Sequence, residues 1–457
     1  MYFEIAKVAL ALLNRRPRPL AHHLKNHFGR CPRKFPVVTV EYSRHRHACV
    51  FLAIQRYLAG RNRYSKMLGL STTDTDLRFS DFLHPDAEYE TDGPVQYCDV
   101  ELANGNSISC AQRAIYLVRD DHRRLAIHLI RPHWEDNMTV EVIARDRWIA
   151  EKFLADMRGL ADQQSIYKGQ IVSLKEDRDR NLVVYFQKVP SVPREQLILP
   201  ESVIQQIERH TTRFSQHREL LLSRGRHLKR GLLLYGPPGT GKSLSIMHLL
   251  SEMKGRTGII LNGNAVQHLE DACTLARALQ PATVVIDDVD LVAEERTRRN
   301  FNPVLFELLN QMDGIADDAD VLFLLTTNRP ESLEPALASR PGRIDQAIMI
   351  PLPDAQCRAR LFDLYSKGLP MKLRSTKRFI EQTEGVSAAY IRELFRKAAL
   401  LAAEEGRDVP VQDRHIKEAL QHLQQGSPLT GKLLGYDAGA QVTKASAPES
   451  SSFAPPS

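Results

Sequence analysis

The feature that most constrains the fold is an apolar run that leads directly into a glycine-rich loop, GLLLYGPPGTGKS, at residues 231–243. The apolar part predicts a buried strand, and SLSIMHLLSEM after the loop predicts a helix. Glycines let the backbone turn its N–H groups toward an anion, and the helix presents its positive dipole end to the same anion. Because G-x-x-x-x-G-K-S between a strand and a helix is typical of a P-loop, the sequence predicts a site for nucleotide phosphates.

The P-loop motif predicts roles for two polar side chains of the loop. Lys242 would reach the β- and γ-phosphates, and Ser243 would hold Mg²⁺. ATP and Mg²⁺ are therefore the expected cofactors. The predicted nucleotide-binding residues are Gly236, Pro237, Pro238, Gly239, Thr240, Gly241, Lys242, Ser243 and Leu244.

A second apolar run, TVVIDDVD at residues 283–290, predicts a strand that ends in carboxylates. Asp287 would join Ser243 at the Mg²⁺, and Asp288 is placed to orient or deprotonate the attacking water. A strand that leads into an acidic turn, with no metal or catalytic role, would have the same sequence pattern. The P-loop upstream favours the metal and water roles.

A third predicted strand, DVLFLLTT at residues 320–327, ends at Asn328, and the chain then continues through ALASRPGRID. The motifs GPPGTGKS, IDDVD, LLNQMDG, TTNRP and ALASRPGRID, in this order and spacing, resemble the AAA family of ATPases. The resemblance covers roughly residues 195–425. It implies a P-loop NTPase fold, in which a parallel α/β sheet carries a C-terminal helical lid.

The resemblance also implies roles for three further residues. Asn328 matches the position that places the lytic water near the γ-phosphate. Arg340 and Arg343 match two arginines that reach into the nucleotide site of the adjacent subunit. Such arginines stabilise transition-state charge and contribute about 10³ to 10⁵ in rate. The resemblance therefore implies a homo-hexamer or another ring.

Several positions depart from the family pattern. Asp288 stands where most active members have Glu, and its shorter side chain predicts slow hydrolysis. Residues 264–281 contain no Phe, Tyr or Trp where threading members carry an aromatic pore loop, which weakens the expectation of threading. No H-E-x-x-H protease motif occurs. Three arginines fall where the second pore loop of the family would lie: Arg296, Arg298 and Arg299. They would either make the channel cationic or belong to a solvated loop, and both interpretations stay open.

Length and composition predict further domains around the P-loop region. Before it, alternating strands and helical runs predict a smaller α+β domain, which would recognise a client or partner. In the lid, Ser387 is a predicted N-cap, and Ile391, Leu394, Phe395 and Ala398 form a predicted core stripe. The predicted boundaries are 1–34 for a basic segment, 35–160 for the α+β domain, 161–194 for a short β unit and linker, 195–352 for the nucleotide-binding subdomain, 353–426 for the helical lid and 427–457 for a disordered tail.

Positive charge is concentrated near the N-terminus. Residues 1–70 contain 14 Lys and Arg against two acidic residues, a net charge of +12, whereas the whole chain carries +7. Such a stretch suits a solvated or self-paired face, nucleic acid, anionic lipid or an acidic partner. No helix-turn-helix, RNP or zinc-finger pattern selects nucleic acid among them.

The remaining signals concern the compartment and metals. The six cysteines show no C-x-x-C pairing, which predicts neither a disulfide framework nor a zinc site and favours a reducing cytoplasm. His45 and His47 in SRHRHA are predicted to lie in a solvated basic segment. The apolar run YFEIAKVALALLN is interrupted by Glu4 and Lys7, so it predicts no transmembrane segment and suits an amphipathic partner helix or a targeting segment.

Three functions fit these features. The first is an ATPase that remodels or disassembles a protein client or complex. The second is a nucleic-acid-stimulated ATPase or loader, which the basic first 70 residues favour. The third is a nucleotide-dependent assembly scaffold with weak hydrolysis, which Asp288 favours.

Overall fold

A computed structural model of the chain describes residues 20–71, 77–84, 91–120, 123–131, 137–176, 182–262, 267–290, 303–314, 316, 319–333 and 343–425. These residues fall into two compact units, an N-terminal unit within 1–187 and a C-terminal unit within 188–457. The finer predicted domain boundaries stay predictions. Some predictions concern residues outside these ranges. They are the predictions for the N-terminal apolar run, for the C-terminal tail, and for Arg296, Arg298, Arg299 and Arg340.

The N-terminal unit is built on an antiparallel sheet with the strand order β1-β7-β6-β5-β2-β3, and β4 also pairs with β5. Four described helices, α1 to α4, accompany this sheet, and a hairpin of β8 and β9 follows it. The strands are β1 (Val37–Ser43), β2 (Arg63–Ser71), β3 (Thr91–Gly93), β4 (Gln96–Glu101), β5 (Ser107–Asp120), β6 (Arg123–Ile130), β7 (Asn137–Ala144), β8 (Ile171–Glu176) and β9 (Leu182–Phe186). The helices are α1 (Leu20–Phe28), α2 (His47–Leu58), α3 (Phe79–Phe82) and α4 (Arg147–Gln163).

The central strand β5 was not predicted from its sequence, SISCAQRAIYLVRD. Residues 114–118 of this strand are all buried, so the two faces of the strand do not alternate between polar and apolar. A strand covered on both faces has no period-two signal, which is why the pattern was missed. Along one edge, β5 pairs with two different strands. The first half of β5 pairs with β4, and the second half of β5 pairs with β2.

The predicted solvated setting is wrong for His47, and His45 is only partly exposed. His47 is only 2% exposed, and its Nε2 lies 2.7 Å from the carbonyl oxygen of Ala111. Burial lowers the pKa of His47 to about 4 and that of His45 likewise to about 4, so both rings are neutral near pH 7. The short SRHRHA motif did not show that the helix beginning at His47 packs against the central strand.

The C-terminal unit begins with three short helices and contains a parallel sheet with the order β14-β10-β13-β12-β11. The helices are α5 (Glu201–His210), α6 (Thr212–Gln216), α7 (Arg218–Ser223), α8 (Lys242–Glu252), α9 (Leu269–Ala278) and α10 (Pro303–Asp313). The strands are β10 (Arg230–Tyr235), β11 (Thr257–Leu261), β12 (Ala282–Ile286), β13 (Val321–Thr327) and β14 (Gln346–Met349). The predicted α/β fold with a parallel P-loop sheet is confirmed. The carboxyl ends of these strands share one edge, where such sheets bind ligands.

The rest of the C-terminal unit is largely helical, as predicted. Its elements are α11 (Ala355–Ser366), β15 (Met371–Lys372), α12 (Thr376–Gln382), α13 (Ala388–Glu405), β16 (Val411–Gln412) and α14 (Asp413–Gln424). Ser387 caps α13, since its hydroxyl accepts a hydrogen bond from the main-chain N–H of Tyr390 at 3.2 Å. The predicted stripe on this helix lies in the helical core, with Ile391, Leu394, Phe395 and Ala398 all buried.

Candidate functional site

The glycine-rich loop after β10 has a backbone that only glycine adopts easily. Gly236, Gly239 and Gly241 have φ angles of 145°, 72° and 109°. A β-carbon on Gly236 would lie 2.3 Å from the carbonyl oxygen of Ile350, and one on Gly239 would lie 2.8 Å from the hydroxyl of Ser387. The loop is therefore held closely between the end of β14 and the start of α13.

Lys242 is the first residue of α8, which begins directly after this loop. Its ammonium donates hydrogen bonds to the carbonyl oxygens of Gly236 at 2.9 Å and Pro237 at 2.8 Å, and the residue is 5% exposed. Burial lowers the pKa of Lys242, and the nearby carboxylates of Asp288 and Asp287 oppose that shift. A cation and the N-terminus of a helix thus meet within the loop, a combination that attracts phosphate.

Asp287 and Ser243, the two predicted metal ligands, lie together. The Ser243 hydroxyl donates to Asp287 Oδ1 at 3.1 Å. The Thr326 hydroxyl, at the end of β13, donates to the same oxygen at 2.5 Å. Hydroxyl and carboxylate oxygens are ligands that Mg²⁺ prefers, so this pair fits Mg²⁺.

Asp288 adopts the left-handed backbone conformation, with a φ of 50°. Its main-chain N–H donates to the Thr326 hydroxyl at 2.8 Å, and its Oδ1 accepts from Asn328 Nδ2 at 3.0 Å. Burial, followed by the negative charges of Asp287 and Asp290, raises the pKa of Asp288. Since Asp tolerates this backbone region better than most residues, the turn itself suits Asp at this position.

Sequence reasoning missed three residues that hold this cluster together: Thr326, Thr327 and Asp290. Asp290 is 3% exposed, and its Oδ1 accepts from the Thr327 hydroxyl at 2.8 Å and from the main-chain N–H of Asn328 at 3.3 Å. Asn328 is thereby anchored through its backbone while its side chain contacts Asp288. The available signal was the Thr-Thr pair before Asn328 and the third Asp in IDDVD.

Arg343 lies apart from this cluster. Its guanidinium forms a two-pronged ion pair with Asp313 of its own chain, and its Nε lies 2.5 Å from Asp313 Oδ1. A β-carbon on Gly231 would lie 2.4 Å from the Arg343 carbonyl oxygen, which places Arg343 beside the first residues of β10. The P-loop follows the other end of that strand, roughly 15 Å away at 3.3 Å per residue. An arginine side chain cannot span that distance to the P-loop of its own subunit.

The match to a known protein family lies within the C-terminal unit. The model of the ATPase family associated with various cellular activities (AAA) matches residues 232–352. The chain is 31% identical over 216 residues to the proteasome-activating nucleotidase of Thermococcus onnurineus, covering 44% of this chain and 54% of the relative. It is 33% identical over 248 residues to the human ATPase family gene 2 protein homolog A, covering 51% of this chain and 28% of the relative.

A plant protein is similar to the same degree. The 26S proteasome regulatory subunit 4 homolog B of Arabidopsis thaliana is 34% identical over 222 residues, covering 45% of this chain and 50% of the relative. The chain thus spans about half or less of the length of these relatives. Within the described ranges, no helix combines the length and hydropathy needed to cross a membrane.

Proposed function

Residues 232–352 of the C-terminal unit match the model of the AAA family, and from that premise we propose that this unit binds ATP with Mg²⁺ and hydrolyses it. One observation carries the proposal: the P-loop lysine, the Ser243–Asp287 pair and the Asp288–Asn328 pair converge at one edge of the parallel sheet. These are the groups that phosphate binding, metal binding and water activation require.

In the proposed reaction, the N–H groups of the loop and the Lys242 ammonium bind the phosphates. Mg²⁺ held by Ser243 and Asp287 would neutralise charge on the β- and γ-phosphates. The Asp288 carboxylate, oriented by Asn328, accepts a proton from the attacking water. Thr326 holds both acidic residues in place through its hydroxyl, which donates to Asp287 and accepts from the Asp288 N–H.

We further propose that hydrolysis drives the remodelling or disassembly of a protein client or complex in the cytoplasm. The relatives support a protein client through their names, a proteasome-activating nucleotidase and a proteasome regulatory subunit. The N-terminal unit would recognise the client. A homo-hexamer or another ring would bring Arg343, and by the family resemblance Arg340, to the nucleotide of the neighbouring subunit.

Replacing Asp288 tests whether this chain is an ATPase or an assembly scaffold with weak hydrolysis. We expect Asp288→Asn to bind ATP normally and to lose about 10²-fold or more in turnover, because the general base is gone. Asp288→Glu should also be slower, since a longer side chain on a left-handed backbone displaces the carboxylate from Asn328. Steady-state ATPase rates and nucleotide affinity measure both effects.

The scaffold function makes the opposite prediction for the same variants. If Asp288→Glu accelerates turnover, the native Asp288 is poorly placed, and ATP binding with assembly becomes the better function. Assembly in ATP against assembly in ADP then checks that conclusion. Asp288→Asn also serves as a trap that holds ATP and client together for identification by pull-down.

A second candidate, a nucleic-acid-stimulated ATPase, is favoured by a concavity of about 540 Å³ in the N-terminal unit. Four arginines and one acidic residue contribute to its wall, together with two phenylalanines. Arg30 lies over the ring of Phe35 at 4.9 Å, and Arg123 lies over the ring of Trp148, which is 53% exposed. Arginines beside aromatic rings suit phosphates with stacked bases. The lining arginines are Arg30, Arg123, Arg124 and Arg145.

Charge reversal in this concavity tests the second candidate. Arg30→Glu/Arg145→Glu should weaken binding of a single-stranded oligonucleotide at least about tenfold and reduce its salt dependence, because phosphate contacts are lost. Lys152→Glu/Lys168→Glu makes the same charge change at exposed residues that do not line the concavity. Equal binding by both double variants, or an ATPase rate unaffected by any DNA or RNA, would remove this candidate.

A further inference from the structure

Two cysteines face each other across neighbouring strands of the N-terminal unit. Cys98 on β4 and Cys110 on β5 are direct partners in an antiparallel pair, so their side chains lie on the same face of the sheet. Opposed residues in such pairs have Cα atoms about 4.5 or 5.5 Å apart. Both spacings fall within the range of about 4.4 to 6.8 Å that a disulfide spans, so the distance between the two strands permits a bond between these residues.

Cys98 has the surroundings of a reactive thiol. A guanidinium nitrogen of Arg131, Nη1, lies 2.7 Å from its sulfur, and a nearby cation stabilises a thiolate. His47 Nδ1 lies 3.8 Å from the same sulfur. The other ring nitrogen of His47 faces the carbonyl oxygen of Ala111, which only accepts, so Nε2 carries the proton and Nδ1 is a hydrogen-bond acceptor facing the Cys98 sulfur.

Access differs between the two sulfurs. Cys98 is partly exposed, and its neighbours Arg131, His47 and Asp99 line a concavity of about 220 Å³ that admits a small molecule. Cys110 is 0% exposed, and burial raises its pKa to about 12, so a hydroperoxide in solution reaches Cys98 before Cys110. The pair therefore combines one accessible sulfur, which lies beside a guanidinium, with one protected sulfur.

We propose that Cys98 is a hydroperoxide-reactive thiol and that Cys110 is its resolving partner. The Cys98 thiolate attacks the distal oxygen of a hydroperoxide, an S–O bond forms, the O–O bond breaks, and the alcohol or water leaves with a proton. The Cys110 sulfur then attacks the Cys98 sulfur, the S–S bond forms, the S–O bond breaks, and hydroxide departs as water with the Cys110 proton. Two thiols and one hydroperoxide yield one disulfide, one alcohol or water, and one further water. A dithiol reductant reverses the change.

Peptide mass mapping of the full chain tests this site directly. The reduced protein is treated with one equivalent of hydrogen peroxide, quenched over time by alkylation, and digested. We expect a peptide pair linking Cys98 to Cys110, two hydrogens lighter than the reduced pair, that forms at least about tenfold faster than oxidation of Cys31. Cys31 is the matched control, because it is more exposed than Cys98. Equal or faster oxidation of Cys31 overturns the proposal, as does a link to Cys49.

Variants separate the two proposed roles. Cys110→Ser should leave Cys98 as a sulfenic acid that dimedone labels, whereas Cys98→Ser should leave Cys110 unoxidised. Arg131→Met should slow the oxidation of Cys98 at least about tenfold, because the cation beside the sulfur is lost. Cys31→Ser should leave the rate of Cys98–Cys110 linkage unchanged. Because Cys110 is buried, serine at this position could destabilise the fold, so Cys110→Ala, checked by a thermal melt, provides a second variant. If dimedone labels Cys98 in neither Cys110→Ser nor Cys110→Ala, the assigned order of reaction is overturned.

Discussion

Replacing Lys242 with methionine is expected to lower ATP turnover by about 10² to 10³ or more, because the positive charge aimed at the phosphates is lost. The structure supports this expectation, since the ammonium is held inside the loop by hydrogen bonds to the carbonyl oxygens of Gly236 and Pro237. Steady-state ATPase rates measure the effect, and equilibrium binding of a fluorescent ATP analogue separates lost affinity from lost catalysis.

Lys254 provides the matched control for this experiment. It is an exposed lysine two residues beyond the end of α8, so Lys254→Met removes the same charge outside the loop. We expect that variant to retain the native rate. A Lys242→Met protein that melts at the native temperature and still turns over ATP at the native rate would contradict the proposed site.

Replacing Arg343 with alanine is expected to reduce turnover by about 10³ to 10⁵ while leaving ATP binding and the stability of the subunit nearly unchanged. The Arg343–Asp313 ion pair contributes little to stability, at most about 1 kcal/mol, because Asp313 is half exposed. Arg414 is the control, since it also forms an ion pair, with Glu405, and Arg414→Ala removes a comparable contact. A native rate in Arg343→Ala would exclude the proposed role.

Mixed assemblies decide whether Arg343 acts on a neighbouring subunit. Lys242→Met and Arg343→Ala subunits, each inactive alone, are produced together with different tags. Random mixing places an intact P-loop beside an intact Arg343 at about a quarter of the interfaces, so up to that fraction of activity should return. No recovery, together with a specific activity independent of protein concentration, would contradict a shared site.

The P-loop could be predicted because its requirements are local. Positive φ angles at Gly236, Gly239 and Gly241 are the conformations that glycine allows, and their spacing is visible along a single stretch of chain. The N-cap at Ser387 and the stripe on α13 were predicted for the same reason, since capping and helical periodicity act within a few residues.

The supporting residues of the site could not be predicted in this way. Thr326 contacts Asp287 across 39 positions of sequence, and Thr327 contacts Asp290 across 37. These contacts exist because β12 and β13 are neighbours in the sheet, an order that the motifs do not contain. Likewise, a motif could suggest a role for Arg343, but its position beside the first residues of β10 had to come from the fold.

The sequence by itself determined the P-loop, the alternation of strands and helices around it, and the resemblance of this region to a family of ATPases, since these depend on local backbone preference and on motif order. Tertiary structure alone decided the burial of His47, the pairing of Cys98 with Cys110, and the pairing of Arg343 with Asp313. The physical reason is that strand order and register determine which distant side chains meet, and a shift of one residue in register would turn each strand's side chains to the opposite face.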